Sequence, residues 1–340
     1  MMFVRRTLLG GAAALLGWAA LATAPATAQD TNYLLATAST GGTYYPVGVA
    51  LATLTKVKLQ PENGIGMSAI NSAGSGENVR LLRENEAQFA ILQGLFGHYA
   101  TTGTGPVEAD GVQENIRSIT MLWQNVEQFV VASENAETGT IEDFLALKGS
   151  KAALGRQNSG TIGSNRTILG NLGVDIESDF DLVYAGYGPS AEALQNGQVA
   201  GISTPAGVPT GAVTQLFAAM GDGVAMLNFT DEQMATANGD TSLWTRFVID
   251  AGTYPGQEEA VNTIAQPNFL AVNADVPEEH VYLITKTIYE NLPFLQAIHP
   301  ATNAMALDQA LAGLPAPLHP GAVKYFREAG IEVPEDLLGP

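Results

Sequence analysis

The sequence contains no cysteine, which excludes disulfide bonds, thiolate metal sites and cysteine nucleophiles. Positive charge is also scarce, because 15 Lys and Arg residues accompany 34 Asp and Glu residues and the formal net charge is −19. A surface of this sign repels nucleic-acid backbones and anionic lipid, so we expect neither nucleic-acid binding nor membrane-surface binding. Hydrophobic residues make up 46% of the chain, and stability must therefore come from a packed core.

Sequence signatures of common enzyme classes are missing as well. The four histidines show no metal-ligand spacing, there is no Gly-x-Ser-x-Gly motif, and no Walker lysine follows a glycine loop. Residues 186–191 (GYGPSA) match the form of a dinucleotide fingerprint, but the next strand lacks the acidic residue that would bind a ribose. We therefore expect no catalysis, no metal and no cofactor, with a secreted α/β enzyme as the remote alternative.

Residues 1–28 have the pattern of a cleaved export signal. Arg5 and Arg6 precede a long apolar stretch, and an A-x-A cleavage site ends at Ala28. We expect a periplasmic protein that begins near Gln29 and is not inserted in the membrane after cleavage, and a transmembrane anchor is the alternative. The general and the twin-arginine export routes both remain open. Because both arginines leave with the signal, the mature charge is 13 − 34 = −21.

A short apolar strand, a loop rich in Gly, Ser, Thr or Asn, and a helix recur five times along the chain. The loops are residues 39–45, 71–75, 156–161, 186–190 and 204–209. Strands that alternate with helices predict an α/β fold with parallel sheets covered on both faces. Ligands bind beyond the carboxyl ends of such strands, so the loops predict one shared cleft.

Two longer strand-like stretches, residues 116–132 and 261–273, lie where this pattern changes. We predict that they cross between two lobes and form a hinge that permits closure about a ligand. The predicted lobes are residues 29–123 with 265–340, and residues 124–264. A single continuous sheet is the alternative. Helices are predicted at residues 278–291, 301–312 and 321–329.

Five motifs, taken in order, resemble the TAXI family of solute receptors, the extracytoplasmic binding subunits of TRAP transporters. They are residues 39–46 (STGGTYYP), 72–78 (SAGSGEN), 159–161 (SGT), 252–257 (GTYPGQ) and 317–322 (PLHPGA). The resemblance covers nearly the whole mature chain. It implies a type II-like, two-lobed periplasmic-binding-protein fold, no catalysis, and delivery of an organic acid or an amino acid such as glutamate to an ion-driven permease.

We expect the protein to be a monomer whose partners are a small carboxylate ligand and the membrane subunits of a TRAP permease. A periplasmic sensor that presents its bound state to a membrane kinase is the alternative within binding proteins. The ligand stays open between a glutamate- or glutamine-like amino acid and a dicarboxylic or keto acid.

The first loop supplies hydroxyl and backbone N–H donors for a carboxylate at Thr40, Gly42 and Thr43, and the helix that follows adds its positive end. Tyr44 is predicted to face the cleft, because a phenol offers both a stacking face and a polar tip. The alternative is an ordinary glycine turn with a helix cap.

Further candidates in the first lobe are Asn71, Ser72, Ser75 and Gln93. Ser75 is also placed to cap a helix predicted over residues 77–86. Gln93 ends a predicted strand, and the resemblance implies that its amide, which can both donate and accept, points at the ligand.

In the second lobe, the helix start at Ser159, Gly160 and Thr161 forms the matching donor set. Additional candidates are Tyr187, Pro205 and Gly207. Arg156 departs from the family pattern. A bidentate clamp on a carboxylate is one interpretation, which favours a dicarboxylic or keto acid, and a solvated or acid-paired surface arginine is the other.

Overall fold

The structure is a computed structural model that describes residues 30–339. The predicted export signal and its cleavage site lie outside the described residues. Within residues 30–339, no helix is both long enough and apolar enough to span a membrane.

Strands and helices alternate through most of the described chain. The strands are β1 (Thr31–Ala36), β2 (Ile65–Ile70), β3 (Phe89–Gln93), β4 (Ile116–Val126), β5 (Phe129–Ala132), β6 (Lys151–Ala153), β7 (Asp181–Leu182), β8 (Gly201–Ser203), β9 (Val224–Met226), β10 (Thr245–Ile249) and β11 (Val261–Asn273). The α-helices are α1 (Tyr44–Asn63), α2 (Ser75–Arg83), α3 (Gly94–Thr102), α4 (Ile141–Leu145), α5 (Gly160–Asn171), α6 (Ile176–Asp179), α7 (Tyr187–Gln195), α8 (Gly211–Met220), α9 (Asp231–Asn238), α10 (Glu278–Glu290), α11 (Leu292–Ile298) and α12 (Pro320–Glu328). Short 3₁₀ helices lie at Gly105–Asp110, Ser133–Asn135, Gly221–Gly223, Pro300–Ala304, Leu307–Gln309 and Glu335–Leu337.

The strands form two sheets, so the α/β prediction is confirmed and the single-sheet alternative is wrong. The first sheet has the order β10-β11-β3-β1-β2, with β4 also paired to β11, and the second has the order β7-β6-β8-β5-β9. Parallel pairing joins β1 to β2 and β3, and β6 to β7 and β8. The other pairings are antiparallel, so each sheet is mixed rather than wholly parallel. We call the first sheet with its helices lobe I, and the second sheet with its helices lobe II.

The two long strands β4 and β11 pair antiparallel with each other, from Ile116 opposite Asn273 to Val126 opposite Ala265. Residue 126 ends β4, and the chain enters lobe II at β5 only three residues later. β10 pairs with the opening residues of β11, in the first sheet. The lobe boundaries near residues 124 and 264 stay a prediction.

Buried apolar residues form the cores of both lobes. In lobe I, Leu35, Ile91 and Phe269 are each fully buried in one cluster. In lobe II, the adjacent β5 residues Phe129 and Val130 belong to two different clusters. Successive strand side chains point to opposite faces, so β5 is covered on both sides.

Two local predictions are wrong. Ser75 does not cap α2, because Gly74 occupies the N-cap position with a φ of 120° that favours glycine, and the Ser75 hydroxyl instead accepts from the Gln93 N–H at 3.1 Å. The helix predicted over residues 301–312 is replaced by two 3₁₀ turns. The carbonyl of Ala310 accepts from the Met121 N–H of β4 at 2.7 Å, so a tertiary bond uses that acceptor.

Candidate functional site

A cavity lies where the polar loops of the two lobes meet. It has a volume of about 450 Å³, part of which is open to solvent. Of the fifteen predicted site residues, the structure brings eleven into its lining. These are Gly42, Thr43, Tyr44, Ser75, Gln93, Arg156, Ser159, Gly160, Thr161, Tyr187 and Pro205. Residues far apart in sequence therefore form one small site.

The other four predicted residues lie outside the lining. Thr40 and Asn71, in two different loops, are exposed to solvent. Ser72 is buried, but its hydroxyl is held by the Thr37 carbonyl at 2.9 Å. Gly207 packs against Trp123, and its carbonyl accepts from the Thr43 hydroxyl at 2.7 Å.

Sequence reasoning missed Asn125, which lines the cavity from the end of β4 and is 1% exposed. The available signal was an amide near the end of a largely apolar strand, at the point where the chain crosses between lobes. Ser39, one residue before the predicted donors, was also missed.

Four helices begin at the cavity. The first residues of α1, α2, α5 and α7 are Tyr44, Ser75, Gly160 and Tyr187, and each of them lines it. Helix N-termini carry partial positive charge and unsatisfied backbone N–H groups, so they attract anions. Among the described lining residues there is no Asp, Glu, Lys or His, and Arg156 is the one charged side chain. The lining therefore presents partial positive charge, which favours a negatively charged group.

Two buried amides leave polar atoms without a partner in the described part of the protein. The Tyr44 hydroxyl donates to Asn268 Oδ1, Asn268 Nδ2 donates to Asn125 Oδ1 at 3.4 Å, and Asn125 Nδ2 has no acceptor. Gln93 Oε1, at a side chain that is 3% exposed, has no donor. A buried polar group without a partner costs about 1–3 kcal/mol. Both amides belong to residues that line the cavity.

The Tyr187 hydroxyl forms hydrogen bonds with two other segments of lobe II that line the cavity. Its hydroxyl donates to the Pro205 carbonyl at 2.6 Å, so the Thr161 hydroxyl at 2.8 Å is left to donate to the Tyr187 oxygen. A Cβ on Gly42 would lie 3.1 Å from the Tyr187 ring. Burial raises the pKa of Tyr187, and that of Tyr44, well above the ordinary tyrosine value, so both phenols stay protonated and act as neutral hydrogen-bond groups.

Arg156 lies at the edge of the cavity and is half-buried. Its Nη1 donates to the Ser72 carbonyl of lobe I at 3.1 Å. Within residues 30–339, no carboxylate forms an ion pair with it. The acid-paired alternative is therefore wrong for the described chain, and the guanidinium keeps N–H groups for a ligand.

The lobes touch around the cavity. The Glu77 N–H donates to the Asn158 carbonyl at 2.9 Å, and His299 Nε2 lies 3.1 Å from the Pro209 carbonyl. A Cβ on Gly160 would lie 2.4 Å from Gln93 Oε1, so helix α5 of lobe II is in close contact with the Gln93 side chain of lobe I. The structure is therefore a closed arrangement of the two lobes.

Solved structures that include a periplasmic binding protein share this fold. MatC from Rhodopseudomonas palustris, solved with bound malate, is 13% identical with a TM-score of 0.53, and the match covers 90% of this chain and 96% of MatC. The periplasmic binding protein BugD is 15% identical with a TM-score of 0.53, covering 88% of this chain and 97% of BugD. A protein from Bordetella bronchiseptica RB50 is 13% identical with a TM-score of 0.51, covering 91% and 85%. The two-sheet α/β fold is that of periplasmic binding proteins.

The family is shown by the sequence itself. The model of the NMT1-like family matches residues 35–330, which include both sheets apart from the first residues of β1 and every described residue that lines the cavity. This chain belongs to the NMT1-like family.

Proposed function

We propose that this protein is an extracytoplasmic solute-binding receptor that holds a small carboxylate between its two lobes and delivers it to a membrane permease. The observation that carries the proposal is the convergence of four helix N-termini on a cavity whose described lining contains no acidic side chain. In a protein with a net charge of −19, this is a local environment that favours an anion.

The chemistry of the lining favours a dicarboxylic, hydroxy or keto acid over an amino acid. An ammonium group buried here would need an acidic counter-charge, and the described lining contains none. Asn125 Nδ2 suits a carboxylate oxygen, whereas Gln93 Oε1 suits a ligand hydroxyl. Arg156 adds a guanidinium for a second carboxylate.

The transport partner that we propose is a TRAP-type permease. This part of the proposal is supported by the five motifs that resemble the TAXI receptors. Binding without turnover is supported by the described lining, which offers no His, Asp, Glu or Lys for acid–base work. Genes for a multi-span permease beside this one would agree with transport, and a gene for a histidine kinase would favour the sensor.

Thermal-shift screening followed by calorimetry tests the ligand class. The panel is succinate, malate, 2-oxoglutarate, glutamate and glutamine, with methanesulfonate and phosphate as other anions. We expect a dicarboxylate to bind with a stoichiometry of one, and at 100 times its dissociation constant to stabilise the fold by about 2.7 kcal/mol. A larger shift with glutamate than with every dicarboxylate would overturn the assignment of ligand class. Failure of all the carboxylates would overturn the proposed function.

Matched amide-to-acid variants test the site. Gln93→Glu and Asn125→Asp keep the side-chain size but add a negative charge inside the cavity, and we expect each to weaken binding at least about 100-fold. Asn71→Asp adds the same charge on an exposed loop outside the lining, and it should change the dissociation constant less than about threefold. Equal effects of Asn71→Asp and Asn125→Asp would contradict this placement of the ligand.

A further inference from the structure

Asn268 lies behind the cavity, on the strand between the two strands that carry the unpaired amides. β11 pairs with both β3 and β4, and Asn268 is opposite Gln93 in the first pairing and opposite Trp123 in the second. Gln93 and Asn125 line the cavity, whereas Asn268 is fully buried and does not line it. Asn268 can therefore act on a ligand only through its neighbours.

A chain of buried hydrogen bonds runs through Asn268. The Tyr44 hydroxyl donates to Asn268 Oδ1, and Asn268 Nδ2 donates to Asn125 Oδ1 at 3.4 Å. An amide carries its acceptor and its donor on different branches, so the orientation of one amide sets that of the next. The side-chain atom of Asn125 that remains is Nδ2, a donor that has no acceptor within residues 30–339.

The direction of this chain is set at its start. The Gln93 backbone N–H donates to the Ser75 hydroxyl at 3.1 Å, and a backbone N–H can only donate. Burial raises the pKa of Tyr44, against a smaller lowering by a hydrogen bond with Ser75, and a lowering of this kind comes from a group that donates to the phenol oxygen. The phenol then donates its own proton to Asn268. Every link from Gln93 to Asn125 therefore donates in the same direction.

Reversal of the Asn125 amide is unfavourable while Asn268 stays in place. It would set the two amide NH₂ groups against each other across the 3.4 Å contact and leave Asn268 Nδ2 without that acceptor. It would also turn Asn125 Oδ1 toward the cavity, where a carbonyl oxygen repels a carboxylate. The chain therefore favours the orientation of Asn125 that suits an anion.

We infer that Asn268 is a positioning residue of the receptor, which acts through Asn125 by holding the Nδ2 of that amide toward a ligand carboxylate. The inference rests on the proposed function, because it assumes a carboxylate in the cavity. While Asn268 is present, the donor is oriented before the ligand arrives, so little ordering is left for the binding step. Without Asn268, both orientations of the Asn125 amide are accessible, and a carboxylate has to select one of them.

Calorimetry with succinate, malate and 2-oxoglutarate tests this role in two matched variants. Valine and threonine differ by one hydroxyl, and both suit a strand. Asn268→Val interrupts the chain, and we expect it to weaken carboxylate binding about tenfold, because a hydrogen bond to a charged group loses its oriented donor. Asn268→Thr keeps a hydroxyl that can accept from Tyr44 and donate to Asn125, and it should bind within about threefold of wild type.

Two further comparisons separate positioning from packing. Asn273→Val makes the same change in the same strand, at a buried amide that donates to the Leu82 carbonyl at 3.0 Å and does not line the cavity. It should lower the urea midpoint but leave the affinity within about 1.5-fold of wild type. In an Asn125→Ala background, Asn268→Val should change the affinity less than about 1.5-fold, because a residue that acts through Asn125 has no effect without it.

Side-chain amide NMR of the wild-type protein tests the orientation with Asn268 in place. The Asn125 NH₂ signals, assigned by their absence from the spectrum of Asn125→Ala, should move downfield when the carboxylate binds. The physical reason is that Nδ2 then donates to an anion, which shortens and strengthens the hydrogen bond.

Four outcomes refute the positioning role and leave the proposed function standing. They are wild-type affinity in Asn268→Val, equal weakening by Asn268→Val and Asn268→Thr, an undiminished effect of Asn268→Val in the Asn125→Ala background, and unchanged Asn125 NH₂ signals on binding. Absence of binding of all three carboxylates to the wild-type protein would instead refute the proposed function, and the inference with it.

Discussion

Glu127 is a buried carboxyl group that should make the stability of the protein depend on pH. It lies between β4 and β5 and is fully buried. Its backbone N–H donates to the Ile264 carbonyl at 2.9 Å, and its Oε1 accepts from Trp244 Nε1 at 2.9 Å, but its Oε2 has no hydrogen-bond partner within the described chain. Burial raises the pKa of this carboxyl from 4.5 to about 7, against the smaller lowering by the Trp244 hydrogen bond.

The direction of the effect follows from proton linkage. The folded protein keeps a proton on Glu127 that the unfolded chain releases, so the stabilising contribution is complete below the unfolded pKa of 4.5 and is lost as the pH rises to about 7. A shift of this size corresponds to about 3 kcal/mol, since one pKa unit is 1.36 kcal/mol. Between pH 5 and pH 8, this group should lower the free energy of unfolding by about 2–3 kcal/mol.

Urea unfolding of wild type and Glu127→Gln across this pH range measures the contribution. The glutamine is neutral throughout, so the stability difference between the two proteins should change by about 2–3 kcal/mol in favour of the variant from pH 5 to pH 8. Asp143→Asn is the contrasting buried variant. Asp143 accepts from the Thr138 N–H and from the Gly139 N–H at 2.7 Å, so its replacement should destabilise at neutral pH. Parallel stability curves for wild type and Glu127→Gln would refute the reasoning.

Two further predictions concern the cavity. Gly160→Ala places a methyl group 2.4 Å from Gln93 Oε1 and should weaken ligand binding about tenfold by calorimetry, because the Gln93 amide must move from its position in the lining. Gly170→Ala, in the same helix, adds a methyl group that meets no atom within 4 Å. It should leave ligand binding unchanged and raise the free energy of unfolding by about 0.5–1 kcal/mol. Equal affinity of the two variants would contradict the closed geometry. Tyr44→Phe removes the donor to Asn268 Oδ1 and should cost about 1–2 kcal/mol in urea unfolding, so an unchanged midpoint would exclude this hydrogen bond as a contributor.

Much of the lobe architecture was predictable because its signals are local. The strand ending at Gln93 and the helix beginning at Gly160 follow from apolar runs and from polar residues that suit helix starts. Ser159 caps its helix through the Ile162 N–H at 3.1 Å. The helix prediction over residues 301–312 is wrong because of a contact that is not local in sequence. There the Ala310 carbonyl bonds to a strand that lies far away in sequence, and this tertiary bond overrides local helix propensity.

The candidate site also contains residues that local sequence signals predicted and residues that they did not. Gly42, Thr43 and Tyr44 were found because a glycine- and hydroxyl-rich loop before a helix is a recognisable anion site. Thr40, in the same loop, is exposed, since side-chain direction within a turn depends on its backbone geometry. Asn125 was not predicted, because the residues around it in the sequence do not show that the end of β4 lies beside the loops of both lobes.

The sequence by itself determined that polar loops follow short apolar strands, that the chain is strongly acidic, and that the motifs of common enzyme classes are missing. These properties depend on composition and on neighbouring residues, so no long-range contact is needed to establish them. Only the tertiary structure decided which donors face the same cavity and that the amides of Gln93 and Asn125 each keep an unpaired polar atom. Those facts depend on the approach of two lobes whose contacting residues lie far apart in sequence, as in the hydrogen bond from the Thr43 hydroxyl to the Gly207 carbonyl across 164 positions.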